Sequence, residues 1–288
     1  IDDSIEETGG LALYVSGNPS KYLQGHNVFG VFSHDLIKSW LFDVFKNAGI
    51  SDLQIFSRIN NLDFEFSRID LTDSFQLNSK KDVINWLKHA SFYLSGKFQS
   101  CATTKGFTSY IGKNSRRKTW KFYSKGEEVV KPGRLLIEGE DRCFIQNFAQ
   151  PLLRSELVLR RMQLKDMNLL KARSWSAEIC EEVYMSELLK MKLPGEIELD
   201  DVELECLPKK YRSAYALWKS GKNVSELYSR TTYWRYKKFF YDTYQINLDI
   251  PRNPERGVVV PLIQVLKADR VSIPQWAYDR GLIYCANF

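Results

Sequence analysis

The sequence predicts an α+β fold, an antiparallel-rich sheet covered by helices and followed by a mainly helical, helix-turn-helix-like C-terminal part, on three observations. Segments of strand composition dominate the first half, at residues 11–15, 64–71, 107–111, 117–124 and 152–159. Helical spacing appears between them: residues 34–47 and 81–94 carry apolar side chains three and four apart, with Asp82 early in the second segment. After Leu164 the pattern turns helical through residues 185–192 and then breaks at Leu193-Pro194-Gly195.

That break sets the expected division, residues 1–193 and residues 194–288. Beyond it, residues 211–220 read as a helix stopped by Gly221, Asn223 caps a short helix through Tyr228, and residues 230–244 read as a third. Three short helices in this order resemble a helix-turn-helix, a pattern that many small bundles share. Within the first division, Gly112-Lys113-Asn114-Ser115 reads as a hairpin turn between two strands.

Composition excludes several classes. The 288 residues are 44% hydrophobic, with 7 Trp, 15 Tyr and 17 Phe, too aromatic for a disordered chain. The longest apolar stretch, residues 258–266, is interrupted by Pro261 and Gln264 and is too short to span a bilayer, so a soluble protein is expected. The opening IDDSIEETGG has neither an initiator Met nor the order of a signal peptide and reads as a fragment. Cys101, Cys143, Cys180, Cys206 and Cys285 are odd in number and scattered, which suits reduced thiols in a cytoplasm better than disulfides or zinc. The net charge of +6 is modest, but basic residues cluster at 113–125, 154–165 and 230–238, each time among aromatics. Cations that neutralise phosphates beside rings that stack on bases suit nucleic acid.

Chemistry concentrates in three places. On a strand through residues 117–124, alternation places Arg117, Thr119, Lys121, Tyr123 and Lys125 on one side and Trp120 and Phe122 on the other. A nucleophilic tyrosine needs positive charge to hold its phenolate, and Lys121 and Lys125 stand two residues away on either side. The other reading is an ordinary exposed strand tyrosine between lysines; Tyr110 is the rival nucleophile. In the segment of residues 67–73, Arg68 and Asp70 share a side; Asp70 is either a ligand for Mg²⁺ or Mn²⁺ or the partner of a neighbouring arginine, and Asp73 either a second ligand or a cap. In residues 152–160, alternation turns Leu153, Leu157 and Leu159 inward and Arg154, Glu156 and Arg160 outward, so Glu156 either completes a metal site or forms a cross-strand ion pair. Of the three histidines only His26 sits in a polar, glycine-flanked setting. Phosphate-binding glycine loops and the GxSxG elbow are missing from the sequence.

The stretch from Pro19 to Gly30, PSKYLQGHNVFG, resembles a signature of the gene II replication initiators of filamentous bacteriophages, including Vibrio-type relatives. Ser67-Arg68-Ile69-Asp70, Tyr123-Ser124-Lys125, Arg154-Ser155-Glu156, Trp234-Arg235-Tyr236, Val258-Val259-Val260-Pro261-Leu262 and Pro274-Gln275-Trp276 extend the likeness over almost the whole chain. The resemblance implies a rolling-circle nuclease that nicks one strand of double-stranded origin DNA, forms a 5′-phosphotyrosine, leaves a 3′-hydroxyl primer and later rejoins the displaced strand. It implies Tyr123 as nucleophile with Lys125, and Asp70, Glu156 and His26 around Mg²⁺ or Mn²⁺. Arg116, Arg117, Lys121, Arg154, Arg160, Arg230, Arg235, Lys237 and Lys238 would contact DNA. It also implies a further N-terminal segment, a bacterial host cytoplasm, the host helicase and polymerase as partners, and self-association on the origin. A non-catalytic origin-binding protein on the same scaffold, or a plasmid-type initiator or relaxase, are the alternatives.

Overall fold

A computed structural model describes residues 12–30, 32–93, 108–190, 201–244 and 270–284, with positions 246, 248 and 266. Its centre is a four-stranded antiparallel sheet of β1 (Arg68–Gln76), β2 (Thr108–Ile111), β3 (Lys118–Ser124) and β4 (Leu152–Arg160), ordered β1-β4-β3-β2. The Gly112–Ser115 turn joins β2 to β3: Gly112 takes the left-handed conformation at φ 66° and its carbonyl accepts from Ser115 N at 2.9 Å. β4 is paired on both sides, which buries Leu152 to Leu159 whether their side chains are apolar or charged.

Strand alternation gives the sheet two unlike faces. On one, Leu71 and Phe75 of β1, Leu153, Leu157 and Leu159 of β4, and Trp120 and Phe122 of β3 form the main core. Helices α4 (Lys80–Tyr93) and α8 (Ala177–Leu189) cover it with Val83, Trp86 and Leu87 and with Val183, Tyr184 and Leu188. The other face carries the polar residues of the same strands. Its beginning, at Leu152, lies under a second core made with Val28, Phe29, Val129, Ile145 and Ala149, to which α5 (Lys125–Val129) and α6 (Gly139–Ala149) contribute.

The remaining helices follow from local signals. α1 (Pro19–Gln24) starts at a capping Asn18 with Pro at its first position and stops at Gly25 in the left-handed conformation, φ 78°. α2 (His34–Asn47) is capped by Ser33 and buries Ile37, Trp40, Leu41 and Phe45 against α3 (Leu53–Asn60). α7 (Arg161–Asp166) directly follows β4. After α9 (Asp201–Cys206), α10 (Lys209–Lys219), the 3₁₀ turn Val224–Glu226 and α11 (Arg230–Tyr244) enclose a separate core of Ala214, Tyr215, Trp218, Val224, Tyr233 and Phe240. Asn223 caps the 3₁₀ turn by accepting from Ser225 N.

Several expected boundaries shift. Residues 12–15 form no strand, and β1 begins four residues later than expected, so Asp70 and Asp73 lie within the strand. Lys125 is not on β3. Ser124 ends that strand by accepting from Glu127 N at 3.2 Å, and Lys125 opens α5. Ser124-Lys125-Gly126-Glu127 carries the S-x-x-E capping pattern, which overrides strand alternation after Tyr123. The break at Leu193-Pro194-Gly195, the stretch 258–265, Cys101 and Cys285 lie outside the described residues; Cys143, Cys180 and Cys206 are free thiols. No helix among the described residues is long and apolar enough to cross a membrane.

Residues 270–284, far beyond the expected division, are built into the first body. Arg270 bridges to Phe75, and Val271 N donates to Ser74 O at 2.9 Å, covering part of the edge strand β1. Ala277, from α12 (Gln275–Asp279; the helix that follows Pro274), and Leu282 complete the second core. Arg270 also pairs with Asp73 at 3.0 Å and with Glu181 and lies over the Tyr184 ring.

Asp73 is thus on the core face, opposite to the side of Asp70. Burial lifts its carboxyl from 3.8 to about 6, against the pull of Arg270. The folded state therefore holds this proton to a higher pH than the unfolded chain, and the resulting stabilisation, complete below about 3.8, is lost as the pH rises through about 6. We expect Asp73→Asn to gain stability relative to the parent between pH 4 and pH 7 by up to about 3 kcal/mol, read from urea denaturation at a series of pH values. A difference that is flat with pH would show that Asp73 does not titrate in this window.

Candidate active site

Register places the polar face in rows. Tyr110, Lys121, Glu156 and Thr72 lie side by side across β2, β3, β4 and β1, and Thr108, Tyr123, Arg154 and Ser74 form the next row. Asp70 lies opposite Val158, one step diagonal from Glu156. Tyr123, Lys121, Arg154, Glu156, Asp70 and Arg160 therefore share a face: alternation gives the side within each strand, and the register joins the strands.

Tyr123 is 7% exposed, not an open strand tyrosine. Its hydroxyl donates to Glu156 Oε2 at 3.2 Å, and Lys121 Nζ lies 4.4 Å from its ring centre. Lys121 also donates to both Glu156 oxygens, at 3.2 and 3.3 Å. Burial and then the Glu156 carboxylate push the phenol well above its usual pKa, while the Arg154 guanidinium pulls it down. The resting site thus holds a neutral phenol aimed at a carboxylate, the reverse of the expected cation-stabilised phenolate. Tyr110, half-buried on the same face, has Lys113 Nζ 5.2 Å from its ring centre.

Lys125 is fully buried. Its ammonium donates to Asn27 Oδ1 at 2.7 Å and Glu128 Oε2 at 2.6 Å, and burial lowers its pKa to about 7. Arg154 donates to the carbonyls of Asn27 and Val28, at 3.1 and 2.6 Å, and to Thr72 Oγ1 at 3.3 Å. Both cations therefore grip the 26–28 loop. His26, with no exposed surface, orders that loop: Nδ1 accepts from Val28 N at 3.2 Å, and Nε2 donates to Leu282 O at 2.8 Å. Burial, with Lys125 and Arg154 nearby, lowers its pKa.

The expected ligands differ in availability. Asp70 takes a bidentate pair from Arg68, at 2.7 and 2.6 Å. Glu156 is held by Lys121 and Tyr123, and both ring nitrogens of His26 are engaged, so its bond to a metal is not prepared. Asp73 is on the other face. No three His, Cys, Asp or Glu side chains converge among the described residues.

The expected DNA contacts form separate groups. Arg160 is half-buried at the end of β4 and donates to Thr119 Oγ1 at 2.8 Å. Arg116 and Arg117 are exposed beside it, Arg117 paired with Asp166 and its carbonyl accepting from Arg160 N at 2.8 Å. Arg154 is too buried to reach a phosphate as it stands. On α11, Arg230, Arg235 and Lys238 are exposed and Lys237 is half-buried. Sequence reasoning missed Asn27, Thr72, Glu128 and Arg270. The i,i+3 spacing of Glu128 from Lys125 was readable once helix α5 was recognised; nothing local marks Arg270.

Because His26 joins the loop to the 270–284 segment, His26→Ala leaves Leu282 O and Val28 N without their buried partners. We expect a loss of about 2–4 kcal/mol in urea denaturation. A loss within experimental error would remove His26 from this structural role.

Residues 3–178 match the N-terminal part of the phage replication-associated protein family of gene II type, and residues 202–283 match its C-terminal part. The chain is 37% identical over 286 residues to the replication-associated protein of this type from Enterobacteria phage I2-2, across 96% of this chain and 80% of that protein. No solved structure matches the chain. With both parts matched and the likeness extending over 96% of the chain, the chain belongs to the gene II family of phage replication-associated proteins.

Proposed function

We propose that this protein initiates rolling-circle replication of a phage genome by nicking one strand of double-stranded origin DNA with Tyr123 and later rejoining the displaced strand. The observation that carries the reading is the Tyr123 hydroxyl donating to Glu156, on a face flanked by Lys121 and Arg154. Family membership supports a role in phage replication.

In this reading the phenol oxygen attacks the scissile phosphorus while its proton passes to Glu156, the acceptor already in contact. The bond from phosphorus to the 3′ oxygen breaks, leaving a 5′-phosphotyrosine, and the departing oxygen takes a proton from water to become the 3′-hydroxyl primer. Lys121 stabilises negative charge on the phosphate as it develops, with the Arg154 guanidinium behind it adding positive potential from within the sheet. Lys125 holds Asn27, and with it the loop that orients Arg154. The covalent bond conserves the energy needed for rejoining, so no ATP is required. Arg116, Arg117 and Arg160 lead the DNA backbone to the site, and host helicase, polymerase and further copies of the protein act on the opened origin in the bacterial cytoplasm.

Asp70 and Glu156 are the carboxylates that would hold Mg²⁺ or Mn²⁺. Both already accept from cations, Asp70 from Arg68 and Glu156 from Lys121, so an ion would share their oxygens with these donors and complete its shell with water and phosphate. When bound, it would polarise the scissile phosphate. His26 is left out of this set, since both of its nitrogens are committed.

A second reading, a non-catalytic origin-binding protein, draws on the burial of Tyr123, because attack requires the cover over the phenol to open. Incubation with supercoiled origin DNA and Mg²⁺ or Mn²⁺ separates the two: nicking gives open circles carrying protein, binding alone gives none. Tyr123→Phe should bind DNA and form no adduct, Tyr110→Phe should retain it, and an adduct on Tyr123→Phe would move the nucleophile to Tyr110. Glu156→Gln should slow nicking about 10²–10⁴-fold with origin affinity kept; an unchanged rate would dismiss Glu156 as proton acceptor.

A further inference from the structure

Helix α11 sorts its aromatic residues sharply. Tyr233 and Phe240 are buried in the C-terminal core, and Tyr236 and Phe239 pack against it, with Phe239 stacked on Tyr211 at 3.7 Å between ring centres. Trp234, from the same run, is turned outward and is 57% exposed. An indole buries a large apolar area when covered, so leaving it in water forgoes a contribution that its neighbours obtain.

Its surroundings are cationic. Arg230 and Lys238 lie one turn before and after Trp234 on the same side of the helix, Arg235 follows it, and all three are exposed. Lys237 Nζ stands 5.1 Å from the Trp234 ring centre. From Arg230 to Tyr241 the helix carries no carboxylate; Asp242 is the first. An exposed flat ring framed by four cations matches in charge and shape a base whose flanking phosphates are within reach. Paired bases present no open face to an indole, whereas unpaired bases do.

We propose that Trp234 is a stacking platform for an unpaired base, and that Arg230, Arg235, Lys237 and Lys238 hold the adjoining phosphates, so that α11 grips single-stranded DNA. This extends the DNA reading above to a surface apart from Tyr123 and supplies a seat for strand opened or displaced at the origin.

The test uses the full chain, an oligothymidylate of about 20 nucleotides and a duplex of equal length, followed by fluorescence anisotropy over a range of salt. Trp234→Ala should weaken oligothymidylate binding roughly tenfold or more with its salt slope kept, and Trp234→Phe should recover part of the loss. Arg235→Glu with Lys238→Glu should lower the salt slope. Duplex affinity should change little in Trp234→Ala. Equal losses on duplex and single strand would overturn the proposal in favour of a groove-binding helix, and unchanged single-strand affinity would overturn it outright. Thermal melting checks that each variant is folded. The measurement contains no cleavage step, so its failure leaves the nicking reading standing, and a missing adduct leaves this one standing.

Discussion

The arrangement depends on two opposite charges, Arg154 and Glu156, held two residues apart on the central strand β4 and away from water. Desolvating either is expensive, and hydrogen-bond partners offset much of that cost, although the Nε of Arg154 finds none. Arg154 is therefore tied to two loop carbonyls and a threonine, and Glu156 to a lysine and a tyrosine. These bonds fix the 26–28 loop over the sheet and bring the Tyr123 hydroxyl to a carboxylate. Replacing either charge by an apolar residue would leave its partners stranded in the same low-dielectric region.

The same need for partners links distant parts of the chain. Lys125 shares Asn27 with Arg154, and His26 passes the connection to Leu282, while Gln24 accepts from Tyr284 N at 3.1 Å. On the opposite face Arg270 answers Asp73 and Glu181. The 270–284 segment is consequently a structural neighbour of the site although it follows α9, α10 and α11 in sequence. Helix α11, with its outward cationic face, is thus bracketed in sequence by two segments of the body that holds the sheet.

Much of the sheet was legible. Alternation assigned the faces of β3 and β4 correctly because strand geometry repeats every two residues, and apolar Trp120, Phe122, Leu153, Leu157 and Leu159 had one buried place to go. It failed at Lys125, where a serine cap turns the chain into a helix, and the reading of Asp73 as a ligand or a cap missed Arg270, which makes a carboxylate tolerable in the core. The short helices α1, α3, α5 and α6 escaped notice because each relies on a cap or on packing more than on periodicity.

The sequence alone determined the class of fold, which residues share a side within each strand, Lys121 with Tyr123 and Arg154 with Glu156, and the basic aromatic helix at 230–244, since these follow from local periodicity and composition; strand register then put Asp70, Tyr123 and Glu156 on one face. Tertiary structure alone decided that Tyr123 is buried and paired with Glu156, that His26 is committed to Leu282 and that Trp234 faces outward. Burial and hydrogen-bond partners come from distant residues, 256 positions away in the case of His26, and no local pattern encodes them.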